Sequence, residues 1–144
     1  MLGLNINDIV PLVEAQVNSG GYFYLVPKGV SMLPTIRGDV DTVTLEKADS
    51  LKKGDIVLYK RENGQIVLHR IVGFLRDSLI LSGDAQTELE FGIKQNAVIA
   101  RVREIKKGTK VIKRNSLAYF NFHFISRLSR ACKVRLTRLK RKKK

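Results

Sequence analysis

Three side chains of this 144-residue chain could together form a reaction centre: a serine, a histidine and an aspartate. Ser31 lies in the stretch 27–39, whose two prolines and two glycines predict a rigid, shaped loop that presents the hydroxyl. A serine hydroxyl is a poor nucleophile at neutral pH and needs an adjacent base. His69 offers a neutral imidazole near pH 7, and Asp84 could orient that imidazole. Spacing alone does not show that the three residues meet.

Four short motifs around these residues follow one another along the chain. They are Gly29-Val30-Ser31-Met32-Leu33-Pro34-Thr35-Ile36 with Gly38-Asp39, then Lys53-Gly54-Asp55-Ile56-Val57, Leu68-His69-Arg70-Ile71-Val72 and Ser82-Gly83-Asp84. In this order the motifs closely resemble the signal peptidase I and SOS-repressor superfamily of serine proteases. The resemblance covers about residues 22–105, and its most specific element is Ser-Met-x-Pro.

The resemblance implies a role for each matching residue. Ser31 is the expected nucleophile. His69 stands at the position of the general base, which is lysine in most members and histidine in the endoplasmic-reticulum and archaeal-like subtype. In that subtype an aspartate at the position of Asp84 assists the histidine. The resemblance further implies a coiled antiparallel β fold and an endopeptidase that cleaves a protein or peptide precursor bound as an extended strand.

The loop around the nucleophile departs from the signal peptidase pattern at one position. Signal peptidases often have a serine two residues before the nucleophile, whereas this chain has Gly29 there, as in the repressor branch. We therefore expect a backbone N–H group, that of Ser31 itself, to bind the oxyanion. Gly29, Val30, Met32 and Pro34 are expected to support the oxyanion site and the loop.

The length, the cysteine count and the hydropathy of the chain limit the kinds of protein that it can be. The chain has the length of one ordinary domain, and its 44% apolar residues are enough to build a core. Its one cysteine, Cys132, excludes an intrachain disulfide and a cysteine-rich metal site, and we expect no metal or other cofactor. No window approaches 18 uninterrupted apolar residues, and the first residues lack the features of a secretory signal. We therefore expect a stand-alone cytoplasmic relative without an N-terminal anchor.

The sequence pattern predicts one short helix followed by many short strands. Residues 7–18 predict the helix. Its buried face is predicted to comprise Ile9, Leu12, Val13 and Val17. Asn63-Gly64 is a strong hairpin signal, because both residues accept positive φ. The predicted strands are 22–26, 40–45, 56–60, 65–72, 78–82, 98–105 and 109–113. The expected fold class is therefore mainly β, with residues 1–115 forming the catalytic domain.

The net charge of +14 is concentrated in the last 29 residues of the chain. Residues 1–115 carry 17 basic and 13 acidic side chains, a net charge of +4, whereas residues 116–144 carry ten basic and no acidic ones. From Ser116 to about Arg138, apolar residues recur every four positions, which predicts a basic amphipathic helix. This tail could contact an anionic membrane surface at the inner face of the membrane, pack on the β body, or bind nucleic acid.

Two other functions remain open beside the peptidase. The β body is compatible with a catalytically idle peptide-binding module that the tail tethers to a membrane, an interpretation motivated by Gly29 and by the absence of an N-terminal anchor. The chain is also compatible with a protein that binds nucleic acid through its basic tail. The β body, however, shows no array of aromatic residues for base stacking.

Overall fold

A computed structural model of the chain describes residues 6–120. This part contains one helix and eight strands, with a short 3-10 turn, Gln95–Ala97, between the sixth and seventh strands. The elements are α1 (Ile6–Asn18), β1 (Phe23–Leu25), β2 (Thr42–Glu46), β3 (Ile56–Lys60), β4 (Ile66–Leu75), β5 (Ser78–Ser82), β6 (Glu90–Lys94), β7 (Val98–Lys107) and β8 (Lys110–Lys113).

All strand pairs of the described chain are antiparallel, so the mainly β class predicted from the sequence is confirmed. The strand order is β1-β2-β7-β3-β4-β5-β6, and β8 pairs with β7. The Asn63-Gly64 hairpin joins β3 to β4 as predicted, with Ile56 opposite Arg70 and Lys60 opposite Ile66. Of its two central residues, only Gly64 adopts a positive φ, of 88°. Strand β6 was not predicted, because Gly92 interrupts its short apolar pattern and adopts a positive φ of 76°.

Strand β3 is buried on both faces and divides the core into two clusters. Ile56 and Leu58 belong to the cluster that also contains Val13 and Val17 of α1. Val57 and Tyr59 point to the opposite face, because successive side chains of a strand alternate, and they join residues of β4 and β5. Each of these four β3 side chains is at most 2% exposed.

Helix α1 covers the first cluster with a narrower face than predicted. Val13 and Val17, which lie one turn apart, are fully buried, and Ile9 is half-buried. Leu12, which was predicted to be buried, is 61% exposed. One residue along a helix rotates the side chain by about 100°, so Leu12 points to solvent when Val13 points to the sheet.

The folded body continues past the predicted boundary at residue 115. Tyr119 is fully buried in the first cluster, where its hydroxyl donates to the Val102 carbonyl at 3.1 Å and accepts from the Ile56 N–H at 2.9 Å. Residues 116–120 form turns, and the remainder of the predicted amphipathic helix lies outside the described residues. No helix of the described chain is both long and apolar enough to span a membrane.

Asp41 connects the end of the serine-bearing loop to strand β7. Its buried carboxylate accepts hydrogen bonds from the Arg37 N–H at 2.7 Å, the Arg37 guanidinium at 2.8 Å and the Lys107 ammonium at 2.7 Å. Burial by itself raises the pKa of this carboxyl, but the hydrogen bonds from Arg37 and Lys107 outweigh it and lower the pKa to about 2.

We expect the Asp41→Asn variant to lose an acid-sensitive part of the folding stability. The folded pKa lies below the unfolded value of about 3.9, so the ionised carboxylate stabilises the fold by about 2 kcal/mol above about pH 4. This stabilisation disappears as the pH falls from about 4 to about 2. In urea unfolding over this range, the variant should show a smaller decline in the free energy of unfolding. Asp39→Asn, an exposed carboxylate in the same loop, should keep the wild-type decline. Equal declines for Asp41→Asn and wild type would contradict this assignment.

Candidate active site

The two ends of the loop that carries Ser31 are in backbone contact. The Asp39 N–H donates to the Pro27 carbonyl at 2.7 Å. At Gly38, an added Cβ would lie 1.9 Å from the Gly29 carbonyl oxygen, so only glycine permits this approach. Gly29 adopts a positive φ of 90°, which side chains rarely tolerate. The two glycines of the first motif therefore close the loop, and the serine is presented between them.

A second contact holds the Ser31 backbone against the segment that follows β5. The Ser31 carbonyl accepts a hydrogen bond from the Ala85 N–H at 2.9 Å. An added Cβ at Gly83 would lie 2.6 Å from the same carbonyl oxygen and 2.9 Å from the Gln86 side-chain oxygen. The Ser82-Gly83-Asp84 motif thus touches the loop directly, and the glycine allows the two backbones to meet.

We expect Gly83→Ala to move Ser31 without unfolding the protein. A methyl group cannot remain 2.6 Å from a backbone oxygen, so the loop must shift by a few tenths of an ångström or more. If Ser31 is the nucleophile, such a displacement lowers kcat by about tenfold to a hundredfold. Gly73→Ala, where the nearest atom to the added Cβ is 3.6 Å away, is the matched control. Wild-type kcat in a folded Gly83→Ala protein would show that this contact does not position the serine.

Asp84 joins the loop to strand β4. Its carboxylate receives two hydrogen bonds of 2.8 Å from the Arg70 guanidinium and a third from the Thr35 hydroxyl. Arg70 is fully buried, and Asp84 is 5% exposed. Arg70 also donates to the Gly54 carbonyl at 2.8 Å, and its guanidinium carbon lies 5.3 Å from the centre of the Tyr119 ring.

These contacts give Asp84 a structural role, and its role in orienting His69 stays a prediction. Adjacent residues of a strand point to opposite faces, so Arg70 and His69 project from different sides of β4. Asp84 binds Arg70, and the bonds that it makes to Arg70 and Thr35 link the serine loop to the histidine strand. The contacts therefore support a structural role in which Asp84 fixes the loop of Ser31 relative to the strand of His69.

Ser31 and His69 line the same cleft, which has a volume of about 270 Å³. Ser31 is half-buried and His69 is 4% exposed. Two of the predicted loop-support residues, Gly29 and Met32, also line the cleft, and Met32 anchors the loop in the first core cluster. The other two lie at the surface: Val30 is 69% exposed, and Pro34 is exposed with its carbonyl 3.4 Å from the Lys107 ammonium.

The imidazole of His69 also faces a tyrosine, Tyr59. The Tyr59 hydroxyl lies 3.2 Å from Nδ1 of His69 and donates to the Glu90 carboxylate at 2.6 Å. Arg61 holds the same carboxylate with bonds of 2.9 and 3.0 Å. The β3–β4 hairpin sets Tyr59 opposite Val67, so Tyr59 is a diagonal neighbour of His69. The register of this hairpin was the signal in the sequence from which the contact could have been predicted. The sequence did not point to Glu90 as a site residue, because Glu90 lies on strand β6, which was not predicted.

The cleft continues along an edge of β4 that pairs with no strand of the described chain. Residues 66–70 pair with β3, whereas the pairing with β5 begins only at Arg70. Ile66, Val67 and Leu68 line the cleft, and through Arg61, Gln65 and Ile66 it joins a larger groove of about 1130 Å³ between α1, the hairpin turn and the start of β7. This larger groove contains neither Ser31 nor His69, so it extends the candidate site without being its reactive part.

Within residues 6–120, the Ser31 N–H donates to no protein acceptor. The predicted oxyanion role requires an N–H group that no protein acceptor occupies. Comparisons of the chain with protein-family models, curated proteins and solved structures find no match.

Proposed function

We propose that this protein is a serine endopeptidase similar to the signal peptidase I and SOS-repressor superfamily, with Ser31 as nucleophile and His69 as general base. One observation supports this proposal above all others. A serine in a loop shaped by glycines and the body's single histidine, far apart in sequence, line one small cleft of the fold. Both the loop and the strand are held by buried hydrogen bonds, which favours a preorganised reaction centre.

The proposed reaction is the hydrolysis of a peptide bond through an acyl-enzyme. The Ser31 hydroxyl oxygen attacks the peptide carbonyl while Nε2 of His69 takes the hydroxyl proton. The resulting oxyanion accepts a hydrogen bond from the Ser31 N–H, and the protonated imidazole gives its proton to the leaving amine as the C–N bond breaks. A water molecule, deprotonated by His69, then cleaves the ester and regenerates the serine.

This edge of β4, which pairs with no other strand within residues 6–120, is suited to hold the substrate as an extended strand. Such an edge offers backbone N–H and C=O groups at strand spacing, and these groups supply affinity without requiring a particular side chain. A peptide laid along residues 66–68 would pass from the larger groove into the cleft that contains Ser31 and His69. This placement favours an unfolded segment of a polypeptide as substrate over a small ester.

The proposal is tested by incubating the purified chain with a library of unstructured peptides and identifying new termini by mass spectrometry. Wild-type protein should produce cleavages, and the intact protein should gain the mass of an acyl group on Ser31 when the reaction is quenched in acid. Peptides that bind without cleavage and without an acyl-enzyme would instead identify the idle peptide-binding module. An acyl group on another residue would exclude Ser31 as the nucleophile.

A further inference from the structure

The tyrosine beside His69 is buried and connected to a carboxylate. Tyr59 is fully buried, and its ring centre lies 6.1 Å from that of His69. Its hydroxyl lies between two polar atoms, a Glu90 carboxylate oxygen at 2.6 Å and Nδ1 of His69 at 3.2 Å. A tyrosine hydroxyl has one proton to donate, so only one of these contacts can use that proton.

The proton of Tyr59 is directed to Glu90. Burial raises the pKa of the Glu90 carboxyl, but hydrogen bonds from Arg61 and Tyr59 outweigh it and lower the pKa, so the carboxylate is an acceptor at neutral pH. Burial and the neighbouring Glu90 raise the pKa of the Tyr59 hydroxyl, so the tyrosine keeps its proton. The short distance of 2.6 Å is typical of a hydroxyl that donates to an ionised carboxylate.

We propose that Tyr59, held by Glu90, is a positioning residue that fixes His69 in the tautomer with its proton on Nδ1. Because the Tyr59 proton is directed to Glu90, its hydroxyl oxygen can only accept from the imidazole. Nδ1 must then carry a hydrogen, and Nε2 is left with a lone pair. For the catalytic consequence the inference rests on the proposed function, since Nε2 is the atom that would take the Ser31 proton.

This arrangement gives the Tyr59–Glu90 pair a role in orienting His69. In serine proteases a carboxylate that contacts the histidine directly selects its tautomer. Here the carboxylate acts through one hydroxyl, and the Arg61 guanidinium holds it in place with two bonds. The neutral hydroxyl orients the neutral imidazole, but it stabilises the imidazolium less than a carboxylate in contact would.

The tautomer can be measured without any substrate. The nitrogen chemical shifts and two-bond couplings of ¹⁵N-labelled imidazole distinguish a protonated from an unprotonated ring nitrogen. The chain has two histidines, and a His123→Gln variant leaves only the His69 signals. At a pH at which His69 is neutral, we expect the proton on Nδ1 both in the His123→Gln variant and in the wild-type protein. In Tyr59→Phe we expect the population to shift towards the tautomer with the proton on Nε2.

Two further variants separate positioning from a general loss of structure. Tyr119→Phe removes another buried tyrosine hydroxyl, one that bonds to Ile56 and Val102, and it should leave the His69 tautomer unchanged. Glu90→Gln keeps the size of the side chain but removes the charge that directs the Tyr59 proton, so it should weaken the preference for Nδ1–H. If Tyr59→Phe fails to fold, the wild-type and Glu90→Gln spectra still decide the inference.

Kinetics then connect the tautomer with catalysis. With a cleaved peptide, Tyr59→Phe should lower kcat by about tenfold to a hundredfold with little change in KM, because it affects the base and not the binding edge. A wild-type His69 with its proton on Nε2, or a tautomer that Tyr59→Phe does not change, would overturn the inference. An Nδ1 proton in a protein that cleaves no peptide would instead count against the proposed peptidase and leave the positioning role of Tyr59 intact.

Discussion

Ser31→Ala should abolish peptide cleavage, with kcat reduced on the order of a millionfold or to below detection. Alanine has no oxygen to form the acyl bond, so the loss exceeds anything that a shift of the loop produces. The side chain is half-buried. The free energy of unfolding should therefore change by less than about 1 kcal/mol, which separates lost chemistry from lost structure.

Three further proteins make this result interpretable. Ser78→Ala removes a hydroxyl on β5 outside the cleft and should retain wild-type kcat. His69→Ala should lose nearly as much activity as Ser31→Ala, and the double variant should be no slower than Ser31→Ala, because the two groups act as one unit. Substantial turnover by a correctly folded Ser31→Ala protein would falsify the assignment of the nucleophile.

Asp84→Ala should lower the free energy of unfolding by about 3–5 kcal/mol, the largest effect on stability that we expect from a single substitution. The change leaves the fully buried Arg70 guanidinium without the carboxylate that accepts two of its hydrogen bonds. It also removes the acceptor of the Thr35 hydroxyl. A buried cation without its partner is costly, because the low-dielectric surroundings replace little of the lost hydration. Urea unfolding monitored by circular dichroism measures the effect.

Removing both charges tests whether this cost comes from a buried cation that has lost its carboxylate. The double variant Arg70→Met with Asp84→Ala should recover a large part of the loss, since a flexible apolar side chain replaces the buried charge. At an exposed ion pair, Arg103→Ala breaks the 3.5 Å contact with Glu46 and should cost only about 0–1 kcal/mol. If Asp84→Ala were as mild as Arg103→Ala, the buried pair would not be the link between the serine loop and β4.

Several strands follow from local sequence patterns alone. Ile56–Lys60 and Ser78–Ser82 have the predicted bounds, and the Asn63-Gly64 turn joins β3 to β4. Such features are predictable because alternation and turn geometry depend on residues only a few positions apart. The glycines and prolines of residues 27–39 likewise specify a shaped loop in which Gly38 meets the backbone of Gly29.

The partners of the site residues depend on contacts between distant segments. The sequence pointed to Asp84 as a partner of His69, and it did not point to Tyr59 or Glu90. Arg70 points to one side of β4 and binds Asp84, while His69 points to the other and meets Tyr59. Glu90 reaches this position only because β6 pairs with β5.

The sequence by itself determined most strands of the described chain, the hairpin between β3 and β4, and the residue types that could react. The tertiary structure decided which of these residues meet, because pairing in a sheet joins positions far apart in the chain and each strand offers different partners on its two faces. Local preferences act over a few residues, whereas the tautomer of a buried histidine depends on a hydroxyl and a carboxylate brought from two other strands.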